Sequence, residues 1–126
     1  MTEPGLDEGF LSRIAARIRS ENEAYEQLAA SRKKEAEREA ARLASLFAAA
    51  DPGIGKIVLF GSALPGRPFR PDSDIDLAVS GGDIARLEAM ASDSAFRVDI
   101  VDMETLAPGI RRMVDKEGLV LYEKNG

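Results

Sequence analysis

From Leu6 to Ala50 the chain carries no proline and a single glycine, Gly9, and then meets Asp51-Pro52-Gly53. Ala, Glu, Arg and Lys dominate this first zone, and such side chains lose little rotamer freedom in a helix. Leu11, Ile14, Ile18, Tyr25 and Leu28 recur at helical spacing, and Leu43, Leu46 and Phe47 do so again. Between the two groups, Arg32 to Glu39 is charged at every position except Ala36. The zone predicts one long helix, or two helices with a solvated middle, ended by Pro52 and Gly53. Such a helix outreaches a small domain, so its apolar residues suit either packing on that domain or a partner surface, a homo-oligomer included. The heptads fail in the middle, which argues against a continuous coiled coil.

Beyond Gly53 the pattern alternates between strand and helix. Lys56 to Phe60 is an apolar, β-branched run between glycines, the mark of a buried strand. Gly61 to Ser73 is a loop broken by Pro65, Gly66, Pro68 and Pro71. Asp74 to Val79 alternates acid and aliphatic, as a two-faced strand does. Asp83 is placed to cap a short helix bearing Ile84, Leu87, Met90 and Ala91. Phe96 to Asp102 reads as a third strand and Leu119 to Tyr122 as a last one. Between them Pro108 opens a helix with Ile110, Met113 and Val114, closed by Gly118.

The 126 residues leave room for one compact domain, or a smaller one with a helical extension. The net charge of -5 gives no counterion-release energy on a phosphate backbone, so broad nucleic-acid binding is not expected. There is no cysteine, which removes thiol nucleophiles and thiolate metal sites and suits the cytoplasm. There is no histidine either, which excludes a Ser-His-Asp triad and His-ligated zinc. The acidic start leads into no apolar segment, and Leu43 to Ala50 is too short for a bilayer, so a cytoplasmic protein without membrane contact is expected.

Chemistry must then come from carboxylates, hydroxyls and backbone. Gly61-Ser62 directly follows a buried strand, and glycine lets a phosphate approach the chain while the Ser hydroxyl adds a donor. Asp74 and Asp76, two apart on a strand, project from one face roughly 6–7 Å apart. Close carboxylates repel, and hard divalent cations such as Mg²⁺ relieve that repulsion while also taking substrate phosphates. Asp99 projects opposite Val98 and Ile100; if its strand lies beside Asp74–Val79, it completes a three-carboxylate site as metal ligand and general base. Other readings of these residues are weaker. A calcium loop starting at Asp72 would need Gly and Glu where Leu77 and Asp83 stand. A phosphate loop around Gly53-Ile54-Gly55-Lys56 lacks its first Gly, at Ala50, and the following Ser or Thr.

Taken together, Leu59-Phe60-Gly61-Ser62, Ser73-Asp74-Ile75-Asp76-Leu77, Val98-Asp99-Ile100-Val101 and Gly118-Leu119-Val120-Leu121-Tyr122 resemble the minimal nucleotidyltransferases of the DNA polymerase beta superfamily. The resemblance implies an α+β fold, a mixed β-sheet with helices packed on one face, preceded here by the long N-terminal helix. The change of composition at Asp51-Pro52-Gly53 divides the chain into a helical extension, 1–52, and a second domain, 53–126, which the resemblance, covering about Lys56 to Glu123, makes the nucleotidyltransferase domain. The resemblance further implies ATP or another nucleoside triphosphate as donor, two Mg²⁺ ions, and release of pyrophosphate. Gly61 and Ser62 would hold the β- and γ-phosphates, Asp74 and Asp76 the metals, and Asp99 would activate the acceptor hydroxyl. The loop after Ser62 lacks the family's usual Arg, so Arg67 or Arg70 would substitute on phosphate. Many such proteins are antitoxins that silence a HEPN-type toxin ribonuclease, some by adenylylating a Tyr. Those toxins need a His that this chain lacks, so the resemblance makes it the antitoxin half. The alternatives are an idle antitoxin that only binds its partner, and an enzyme modifying a small molecule.

Overall fold

A computed structural model describes residues 8–125; the first two positions of the expected helix, Leu6 and Asp7, lie outside them. Helix α1 (Glu8–Ala50) is continuous across the charged middle. It is followed by β1 (Lys56–Phe60), β2 (Ile75–Ser80), α2 (Ile84–Ala91), β3 (Val98–Asp102), α3 (Pro108–Glu117) and β4 (Leu119–Glu123). Single 3-10 turns occupy Gly61–Ala63 and Met103–Thr105. No helix among the described residues is long and apolar enough to cross a membrane.

The strands form one sheet in the order β3-β2-β1-β4. β1 runs antiparallel to both β2 and β4, while β2 and β3 are parallel. A parallel pair needs a crossover, and α2 supplies it. Its entry is a tight Gly81-Gly82 turn with both φ angles near +80° (81° and 83°). A Cβ on Gly82 would come within 2.7 Å of Ile54 Cγ1, so only glycine fits that turn. Asp51, at the end of α1, accepts hydrogen bonds from the backbone of Gly53 (3.0 Å) and Asp83 (2.8 Å), joining two helix ends. Those bonds hold its carboxyl below the usual range. Asp83 caps α2 as expected, accepting from the Arg86 backbone.

Strand alternation sorts the core onto two faces. Ile57, Leu59, Ile75, Leu77, Val79 and Ile100 pack with Leu87 and Ala91 of α2 and with Ala36, Ala40, Leu43, Ala44 and Phe47 of α1. Val58, Ala78 and Met103 pack with Val114 of α3 on the opposite face. Helices α1 and α2 thus share one face, and α3 adds a smaller cluster on the other.

The charged middle of α1 is less solvated than its composition suggests. The Arg32 guanidinium sits 3.9 Å from the centre of the Phe96 ring. Lys33 donates to the carbonyl of Arg67, and Ser94 donates to Glu39. The last third of α1 is therefore core, which predicts opposite outcomes at adjacent positions. Phe47→Ala, at a fully buried site, should cost about 3–5 kcal/mol. Leu46→Ala, at an exposed one, should cost under about 1 kcal/mol. Urea unfolding of the two variants checks this.

Candidate active site

Strand β1 ends at Phe60 and the chain turns at Gly61, whose φ is +78°. A Cβ built there would press on the Asp76 carboxylate, with Cγ at 3.3 Å. Glycine is thus required both by the dihedral and by the nearness of an acid. The turn closes with the Leu64 N–H donating to the Gly61 carbonyl at 3.2 Å, and Ser62 is half-buried within it.

Across the sheet, Phe60 pairs with Asp76 and Asp76 pairs with Asp99. Ile75 and Leu77, on either side of Asp76, are fully buried on the opposite face. The two carboxylates therefore leave the same face from adjacent strands about 4.8 Å apart. Asp74 stands just before β2. Arg97, just before β3, brings Nε to 3.9 Å from Asp74 Oδ2 and 3.8 Å from Asp99 Oδ1. Asp74, Asp76 and Asp99 thus lie at neighbouring ends of β2 and β3, whose pairing meets the condition on which the sequence reading rested. Their mutual field is visible at Asp76, whose carboxyl is pushed up first by desolvation, then by Asp99, then by Asp74.

A cavity of about 650 Å³ opens beside this cluster, lined by Phe60, Asp76, Glu88, Val98, Asp99, Ile100 and Val101. That is within the usual range for small-molecule sites, about 300–1,000 Å³. Four consecutive residues of β3 contribute to it, so it follows the free edge of the sheet.

The arginines expected on phosphate are placed differently. Arg67 is ion-paired with Glu117 at the end of α3. Arg70 lies in a turn closed by Ser73, whose Oγ accepts from the Arg70 N–H at 2.9 Å. Neither lines the cavity. Two residues that do meet the site, Arg97 and Glu88, escaped the sequence reading. Arg97 had a signal, since it shares the alternation of Asp99 two residues on. Glu88 had none, because only packing of α2 beside β3 brings it there.

The acids' donor set suits a hard divalent cation: carboxylate oxygens, with the half-buried Asp76 raised by burial and by its acidic neighbours. Among the described residues no three acids close tightly enough to enclose an ion unaided.

The mixed four-stranded sheet carries the glycine-serine turn at the end of β1 and the acids Asp76 and Asp99 on neighbouring strands. The family model described as polymerase beta, nucleotidyltransferase, matches residues 43–126, and the chain belongs to that family. Among solved structures, the toxin-antitoxin MntA-HepT is similar with 27% identity, covering 70% of this chain and 73% of that one, at a TM-score of 0.52. Tri-AMPylated Shewanella oneidensis HEPN toxin in complex with MNT antitoxin is similar with 28% identity, 73% of each chain and a TM-score of 0.50. A toxin-antitoxin structure with AMP-PNP is 35% identical over 58% of this chain, at a TM-score of 0.49. The chain spans 64% of the length of that last relative. No curated protein matches.

The raised Asp76 carboxyl carries a sign that can be measured. The folded chain binds this proton more tightly than the unfolded one, so stability falls as pH rises from the ordinary 3.8 through the raised folded value. Asp76→Asn should melt at a higher temperature than wild type at pH 7, and the gain should vanish by pH 3.8 or below. Melting curves across that interval decide it, and a variant no more stable at pH 7 contradicts the raised carboxyl, whose first cause is burial.

Proposed function

We propose that this chain is a Mg²⁺-dependent nucleotidyltransferase that moves a nucleotide, AMP from ATP, onto a hydroxyl of a partner protein. The partner is a HEPN-type toxin, and the chain is its antitoxin. The observation that carries the reading is the parallel register setting Asp76 beside Asp99, with Gly61 against the Asp76 carboxylate. Family membership supports the reaction class. The two complexes of toxin with antitoxin support the partner. Transfer of AMP is supported by the tri-AMPylated toxin of one of them.

In this reading Gly61 and Ser62 bind the β- and γ-phosphates through backbone N–H and hydroxyl donors. Phe60, Val98 and Val101 offer an apolar wall to the nucleoside. The acceptor hydroxyl oxygen forms a bond to the α-phosphorus, the bond from that phosphorus to the bridging oxygen breaks, and pyrophosphate leaves. The hydroxyl proton passes to Asp99. Asp74, Asp76 and Asp99 would hold two Mg²⁺ ions, which would neutralise charge on the attacking and leaving oxygens. Arg97, lying between Asp74 and Asp99, supplies positive charge to both carboxylates and is placed where it could turn to phosphate. Arg67 would reach phosphate only by leaving Glu117. In this reading 53–126 is the catalytic domain and 1–52 an extension to it, and the last third of α1 packs into that domain.

Labelled ATP, Mg²⁺ and purified toxin test the proposal. Wild type should label the toxin, and Asp76→Asn should slow transfer by about a hundredfold or more, as loss of a transition-state contact does. Mg²⁺ with a non-hydrolysable ATP analogue should raise the melting temperature of wild type and not of Asp76→Asn/Asp99→Asn. Undiminished labelling by that double variant would falsify the site.

A second reading, neutralisation by binding alone, is favoured by the engagement of Arg67 with Glu117. It requires that Asp74→Asn/Asp76→Asn still silence the toxin in cells. If the double variant loses neutralisation while still binding the toxin, the enzymatic reading stands.

A further inference from the structure

Every residue from Leu11 to Leu28 is exposed. Five large apolar side chains in that stretch, Leu11, Ile14, Ile18, Tyr25 and Leu28, are between 41% and 53% exposed. Their spacing is that of heptad positions a and d, with Glu21 at the one remaining d position. This part of α1 projects from the domain, whose first contacts with the helix are Arg32 on Phe96 and Lys33 on the Arg67 carbonyl. An apolar seam left bare on a projecting helix calls for a second helix.

We infer that two copies of this chain pair through residues 11–28 of α1 as an antiparallel two-stranded coiled coil. The direction follows from where the seam leads. Ile18 and Ala36, like Tyr25 and Leu43, are eighteen residues apart, about five full turns, so each pair points the same way. Ala36 and Leu43 are completely buried against the sheet. The seam therefore runs straight into the chain's own domain. A parallel second helix would continue along it past Arg32 and collide with that domain. An antiparallel one need not.

Placing the two-fold axis between Arg19 and Ser20 makes the seam complementary to itself. Leu11 then faces Leu28 of the second copy, Ile14 faces Tyr25, and Ile18 faces Glu21, each an a position against a d position. Glu8 of the second copy comes opposite Ser31, one residue short of the first contact with the domain, so the overlap fills the exposed length and stops there. Charge agrees. Arg17 already holds Glu21 of its own helix at 3.1 Å. In this register Arg17 also flanks Glu21 of the other copy, closing a ring of two arginines and two glutamates at the centre. A parallel pair would set Glu21 against Glu21. A polar group at one core position is a known means of selecting register and orientation. Ala15, Ala24 and Ala29 flank the seam with small side chains, which lets the helices approach. The inference is independent of the reaction the site performs.

The chain has no cysteine, so engineered ones report cleanly. Leu11→Cys and Leu28→Cys proteins, mixed and oxidised, should give the mixed disulfide in preference to either self-linked pair. Sedimentation should show a dimer of the wild type, dispersed by Ile18→Glu while the melting curve of the domain persists. Self-linked Leu11→Cys as the main product means a parallel pair and overturns the inference. A wild type that stays monomeric at all concentrations overturns it too. So does an arm protected from protease only when a HEPN-type toxin is added, which would assign the seam to a different protein.

Discussion

The parallel pairing of β2 with β3 is the interaction on which the rest of this molecule depends. Its register sets Asp76 directly beside Asp99. Like charges opposite one another weaken a sheet, and Asp99 adds to the burial that first raises the Asp76 carboxyl. What holds the pair together is the other face. Ile75, Leu77, Val79 and Ile100 are buried there against α1 and α2. Slipping either strand by one residue would carry its acids into that core and its aliphatic side chains into water. The apolar face therefore fixes the charged one.

Helix α1 braces this arrangement from an unexpected segment. Its charged middle holds both approaches to the acidic pair. Lys33 binds the carbonyl of Arg67 in the proline-rich loop that leads toward β2. Arg32 covers Phe96 and Glu39 accepts from Ser94, in the turn that leads into β3. Glu39 is itself held anionic chiefly by Arg42, one helical turn on. The loop and the turn that deliver Asp74 and Arg97 to the site are thus tied to one rigid rod. That rod carries its exposed seam at the other end.

The edges of the sheet divide the remaining work. β3 leaves one edge free, and the cavity runs along it. β4 is the other edge strand, paired with β1 with an irregularity between Ile57 and Val58, and it follows α3 after a single residue, Gly118. The ion pair of Arg67 with Glu117 crosses from the proline-rich loop to the end of α3. It leaves Arg97 as the arginine beside the acids.

Much of this was set by sequence alone because it rests on local rules. The bounds of β1, the Asp83 cap, the start of α3 at Pro108 and the breaks around Gly53 follow from glycine, proline and alternation. The shared direction of Asp74 and Asp76, and the opposition of Asp99 to Ile100, are consequences of a two-residue period. Other features depended on contacts between distant segments, about which local patterns are silent. Continuity of α1 through Arg32–Glu39, the burial of Ala36 and Ala40, and the placement of Glu88 are of this kind. The pairing of Arg67 with Glu117, away from phosphate, is another. Above all, sequence could state only that three acids would meet if two strands were neighbours. That they are neighbours, in parallel and in the register that sets Asp76 against Asp99, was decided by the crossover through α2 and the packing of aliphatic side chains on the far face.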